Sequence, residues 1–199
     1  MARRLTLGAA SVLLLFAFGA LCFLGYRSFV TPGGADGPIV SVGGPFALID
    51  GDGKPVTDQD FRGKWMVVYF GYTHCPDACP TALNAIAVAL DKLPAAERGK
   101  VQPIFITVDP ERDTPPVMKE YVAAFASDII GLTGTVDALK PVEKSYHVVA
   151  EKHPTAGGGY DMDHSSIIYV MDPDGRYSTI LAGDASPDDI AASLGKVVG

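Results

Sequence analysis

Two short runs of β-branched and aromatic residues, 65–70 (WMVVYF) and 103–108 (PIFITV), lack the in-and-out alternation of a strand with one wet face. Such runs are buried on both sides, which requires helices above and below and places them in the middle of an α/β sheet. The patterns around them supply those helices. Leu83, Ile86 and Leu90 recur at three- and four-residue spacing after the first run, and Met118, Tyr121, Val122 and Phe125 do so after the second. Leu139, Val142 and Tyr146 suggest a third helix. An apolar stretch at 46–49 closed by Asp50-Gly51-Asp52-Gly53 predicts a β-hairpin, and residues 167–171 and 177–181 flank Asp172-Pro173-Asp174-Gly175 as another. Ser186-Pro187-Asp188-Asp189 is a helix start with proline at the first helical position, followed by Ile190, Leu194 and Val197. The order is strand, strand, helix, strand, helix, helix, hairpin, helix. It is that of an α/β thioredoxin-like fold with an N-terminal β-hairpin extension.

The chain has 199 residues, room for one domain plus an appendage. Residues 5–26 carry no charge and as a helix would reach about 33 Å, enough to cross a bilayer core. The apolar core exceeds that of a cleaved signal peptide, so one transmembrane helix is expected to precede the domain. Arg3 and Arg4 before it keep the N-terminus in the cytoplasm and send the domain outward. Cys22 follows Leu21 where lipid attachment would want a small residue, and reads as filler within the span. Residues 31–42, with Pro32-Gly33-Gly34 and Gly37-Pro38, form a linker. The expected organisation is anchor 1–30, linker 31–42 and domain 43–199. No long Arg- and Ser-rich presequence precedes the span, so the expected location is the bacterial cytoplasmic (inner) membrane, single-pass, with the domain in the periplasm. Beyond the anchor, 13 Lys and Arg of the chain's 16 face 23 Asp and Glu. That surface excludes nucleic acid, whose phosphates demand basic patches, and suits solubility or a basic protein partner.

The chemistry concentrates in Gly71-Tyr72-Thr73-His74-Cys75-Pro76-Asp77-Ala78-Cys79-Pro80, between the first buried strand and the next helix. With a helix beginning near Pro76, the spacing of Cys75 and Cys79 stacks both sulfurs on one face, their Cβ atoms about 5 to 6 Å apart. A disulfide or a bridging metal is then within reach. Unpaired amides and the helix dipole at that end favour thiolate. A plain stabilising staple would constrain only a very short loop. Two soft thiolates select Cu(I) or Zn(II), and imidazole suits both. Of the four histidines, His74 leaves the strand end in another direction, and His147 and His153 read as ordinary surface or partly buried side chains. His164 follows the flexible Gly157-Gly158-Gly159 and precedes a hairpin strand, so it is expected on a loop that can swing across the cysteine pair. Asp77 and Asp163 are candidate outer carboxylates, and Met162 a remote third sulfur. The 109–113 block reads as a polar loop bordering the site, with no assigned role.

Four segments, residues 44–50 (GPFALID), 70–80 (FGYTHCPDACP), 109–115 (DPERDTP) and 160–166 (YDMDHSS), together resemble the successive signature blocks of the Sco/SenC family. The resemblance covers most of residues 40–199, and CxxxC followed about 90 residues later by DHS is its most specific part. It implies a thioredoxin-like copper-binding protein that assembles the dinuclear copper centre of cytochrome c oxidase subunit II. The implied copper ligands are Cys75, Cys79 and His164, holding one Cu(I) or Cu(II) per chain. The implied partners are cytochrome c oxidase subunit II, another copper chaperone or a thioredoxin-like reductant, and the membrane through the N-terminal helix.

Other readings use the same residues differently. A thiol–disulfide oxidoreductase would employ Cys75 as nucleophile and Cys79 as resolving thiol, leaving His164 without a task. A peroxide-reducing enzyme would need an Arg with Thr or Ser beside its cysteine, and none precedes Cys75. A copper sensor without transfer activity would differ only in its partner.

Overall fold

The computed structural model describes residues 41–126 and 128–199. The expected membrane span, Cys22 and most of the linker lie outside the described residues. Among the described residues no helix is long and apolar enough to cross a membrane.

Strands β1 (Ala47–Asp50) and β2 (Pro55–Thr57) form the expected hairpin. Asp50 Oδ1 accepts the amides of Asp52 and Lys54, both at 2.9 Å, which folds the turn. A short 3-10 helix (Asp58–Phe61) leads into β3 (Trp65–Gly71). Helices α1 (Ala78–Asp91) and α2 (Ala95–Arg98) precede β4 (Val101–Thr107). Then come α3 (Pro115–Ala123), β5 (Ile130–Thr133) and α4 (Val136–Ser145). The chain closes with β6 (Ala150–Pro154), β7 (Tyr160–His164), β8 (Ile167–Met171), β9 (Tyr177–Ala182) and α5 (Pro187–Val198).

The main sheet has seven strands in the order β2-β1-β5-β4-β3-β8-β9. β3 and β4 run parallel at its centre, in register from Trp65 with Val101 to Gly71 with Thr107. Every residue of β3 after Trp65 is buried, the outcome that an unalternating run requires. The mixed α/β arrangement is that of a thioredoxin-like fold. Helix α1 covers the sheet with Leu83, Ile86 and Leu90, each worth about 1.5–3 kcal/mol of burial. On the strands, Phe70 packs against Tyr146 and Tyr169 at centroid distances of 5.2 and 5.9 Å. Ser186 caps α5 by accepting the Asp189 amide at 3.2 Å, as its position before Pro187 predicts.

Besides the one-turn α2 and the short 3-10 helix, two strand features depart from the expected order. β5 is an additional parallel strand of four residues, and its Gly131 lies directly under the Met118 backbone of α3. Strands β6 and β7 form a separate antiparallel ribbon whose outer residues face solvent. His147, expected within a helical pattern, instead ends α4 with φ 55°.

Candidate metal centre

The centre lies where β3 ends. After Gly71 the chain turns through Tyr72, whose carbonyl accepts the Cys75 amide at 3.2 Å. Helix α1 begins only at Ala78, with Asp77 as its N-cap, so Cys75 precedes the helix rather than sharing its first turn with Cys79. This corrects the one-face stacking expected from a start near Pro76. The Asp77 side chain does not cap the helix; the Cys79 amide donates instead to Cys75 Sγ at 3.4 Å. A sulfur thus takes up one of the amides that a helix start leaves unpaired.

Both cysteines are free thiols, Cys75 half-buried and Cys79 fully buried. Burial pushes the Cys79 thiol well above its ordinary range, against the pull of the Tyr72 amide. A metal ion bound there would displace that proton.

His164 is the last residue of β7, not part of a loop, and the glycines at 157–159 form the turn between β6 and β7. Alternation along the ribbon turns Tyr160, Met162 and His164 inward. The imidazole Nε2 lies 3.4 Å from Cys79 Sγ, and Nδ1 is 3.1 Å from the Ser165 carbonyl. A proton on Nδ1 donates to that carbonyl and leaves the Nε2 lone pair facing the sulfurs, the tautomer that a metal ligand needs. Burial lowers the imidazole pKa from 6.5, which keeps the ring neutral near pH 7. Tyr69 and Tyr72 meet the ring edge-on, at 6.3 and 5.8 Å. The three donor atoms of Cys75, Cys79 and His164 all lie within 4.8 Å of one another, so the group could hold a metal ion. Two soft sulfurs and one imidazole fit copper or zinc, and three ligands fall short of the four of a structural zinc site.

Sequence reasoning left the 109–113 block without a task, yet Asp113 braces the cysteine loop. Its buried carboxylate accepts the Thr73 amide at 3.0 Å, the Thr73 hydroxyl at 2.6 Å and the Thr107 hydroxyl at 2.6 Å. Its carbonyl accepts the Thr133 hydroxyl at 2.7 Å. Residues 73, 107 and 133 are thus tied at Asp113, the first two through its carboxylate and the third through its carbonyl, and no sequence pattern signalled it.

The remaining candidates stand apart. The His74 ring is exposed beside Thr73, 3.1 Å from its hydroxyl. His153 faces the exposed Asp163 at 3.1 Å on the outer side of the ribbon. His147 reaches the Ser41 carbonyl. Asp77 is exposed, and Met162 packs into the core.

A central strand that leads into a loop and helix carrying two thiols, met there by an imidazole from a separate ribbon, defines a thioredoxin-like domain equipped to bind a soft metal. The chain belongs to the SCO1/SenC family, whose description matches residues 36–199. It is 40% identical over 158 residues to the mitochondrial SCO1 homolog 1 of Arabidopsis thaliana, covering 79% of this chain and 47% of that protein. The chain therefore spans about half the length of that curated relative. The structure of Bradyrhizobium japonicum ScoI with copper bound matches with a TM-score of 0.72 at 46% identity, over 78% of this chain and 98% of that one. BsSco, described as having a disulfide switch and as a member of the Sco family of cytochrome c oxidase assembly proteins, matches with a TM-score of 0.64. Its identity is 25%, over 79% of this chain and 94% of that one.

Proposed function

We propose that this chain is a membrane-anchored copper-handling assembly factor that carries one copper ion on Cys75, Cys79 and His164. The observation that carries the reading is the convergence of the two sulfurs and Nε2 within 4.8 Å. Its cargo is delivered to, or used to mature, the dinuclear copper centre of cytochrome c oxidase subunit II. The relatives described as copper-bound or as oxidase assembly proteins support this choice over zinc storage. The uncharged stretch at 5–26 anchors the chain once in a bacterial inner membrane, with the domain in the periplasm. Another copper chaperone would load the site, and a thioredoxin-like reductant would keep its thiols reduced.

The deciding experiment is metal analysis of the reduced, detergent-purified full chain. One Cu(I) per chain is expected, with most binding lost in C75S and in C79S. Full stoichiometric binding in either variant would remove this site.

A second reading, disulfide exchange with cysteines of exported proteins, is favoured by one observation. Cys75 is the more exposed sulfur and receives an amide at a helix start, while Cys79 lies buried behind it, an arrangement of attacking and resolving thiols.

A further inference from the structure

A two-stranded ribbon is marginally stable on its own, so the position of His164 depends on what fastens β6 and β7 to the body. Beneath the ribbon lies a cleft of about 160 Å³, bordered by Val108, Asp109, Leu139, Lys152 and Met162, so packing there is incomplete. Arg112 reaches the ribbon from the loop after β4. Its Nη1 donates to the Tyr160 carbonyl at 3.0 Å, and its guanidinium carbon stands 3.8 Å from the centre of the Tyr160 ring. Its Nε donates to the buried Asp109 carboxylate, which also accepts the Tyr160 hydroxyl at 2.8 Å. The same guanidinium is 5.7 Å from the ring centre of Tyr72, whose edge meets His164. Arg112 therefore touches the start of the strand that ends in His164 and one of the two rings that flank the imidazole.

We propose that Arg112, oriented by Asp109, is a positioning residue for the metal centre: it fixes the register of β7 against the body and so sets Nε2 relative to the two sulfurs. The assignment rests on the copper reading above. Arg112 does not touch the metal. It limits the freedom of the imidazole, which the two thiols alone do not restrain, and groups that orient a ligand typically change metal affinity by about 10- to 100-fold when removed. A lysine could place a cation over the Tyr160 ring but could not also bridge the Asp109 carboxylate and the Tyr160 carbonyl with a planar fork.

The test is a double-mutant cycle on the full chain in detergent: wild type, R112A, H164A and R112A/H164A, with R112K alongside. Read-outs are Cu(II) affinity by competition with a chelator, the nitrogen hyperfine signature of bound Cu(II), and thermal melting as a check of folding. R112A is expected to weaken Cu(II) binding on the order of tenfold or more and to reduce the nitrogen signature, with R112K intermediate. In the H164A background, removing Arg112 is expected to cost nothing further. A normal His164 effect with R112A equal to wild type, or with the same Arg112 cost in both backgrounds, overturns the assignment of Arg112 alone. If R112A does not melt cooperatively, the R112K measurement decides: unaltered affinity and signature overturn the assignment. Equal Cu(II) binding in wild type and H164A overturns the metal reading itself and this assignment with it.

Discussion

Gly71 lies so close beneath Cys79 that a Cβ at position 71 would stand 2.6 Å from Sγ, and 2.9 Å from the Phe105 ring. The end of β3 is thus the floor of the metal centre. The floor is glycine because the buried sulfur and an aromatic ring already occupy the space where a methyl would go.

G71A is therefore expected to be an overpacking substitution, costing roughly 1–3 kcal/mol, and to push the Cys79 sulfur away from His164. Urea unfolding and Cu(I) competition on the same preparation check both effects. An unchanged unfolding midpoint with unchanged Cu(I) affinity would show that the sulfur yields without consequence.

Much of this architecture was legible because burial writes itself into periodicity. β3, β4 and α1 are long enough, and buried enough, to impose a pattern on WMVVYF, PIFITV and the Leu83, Ile86, Leu90 series. β5 has only four residues with a glycine among them, and its place comes from pairing with β4 and β1 rather than from its own composition. The β6–β7 ribbon stayed hidden because its outer residues are polar and its one inward row shows only Tyr160, Met162 and His164. That hidden ribbon is why His164 was expected on a loop. Its identity as a candidate ligand was legible from chemistry, but its strand and its fastening were not. Asp113 acts on residues 73, 107 and 133, a relation visible only once the chain is folded.

D113N should show what that brace is worth. An amide in place of the carboxylate turns one acceptor into a donor facing groups that themselves donate, leaving the Thr73 amide or a threonine hydroxyl without a partner. The expected loss is roughly 1–3 kcal/mol, accompanied by faster alkylation of Cys75 as its loop loosens. Denaturant unfolding and timed mass spectrometry measure the two. Wild-type values for both would mean that the loop is held by its own turn at Tyr72.

The two thiols should differ in reactivity in the metal-free, reduced chain. Cys75 is half-exposed, whereas Cys79 is fully buried with its pKa raised by burial, so its thiolate fraction and its access are both small. Iodoacetamide is expected to modify Cys75 well before Cys79 at pH 7–8. Bound Cu(I) is expected to protect both. Site-resolved mass spectrometry of a time course gives the order, and equal rates would contradict the buried placement of Cys79.

The two proposed functions separate at His164. Disulfide exchange needs an attacking and a resolving sulfur, which Cys75 and Cys79 supply without the imidazole, so H164A should keep a reducible pair. Copper handling should not survive in the same way. Without Nε2 beside the sulfurs the site has two soft ligands, able to retain Cu(I) but poor for Cu(II), which favours nitrogen donors and higher coordination. The ring also fills the space between Tyr69 and Tyr72, so H164A must first be shown to melt cooperatively. In a strain lacking this protein, complemented to matched expression at unsupplemented copper, H164A is expected to leave cytochrome c oxidase activity near the uncomplemented level while the wild type restores it. Full oxidase activity with H164A would sink the copper-donor mechanism and move the disulfide-exchange reading into its place.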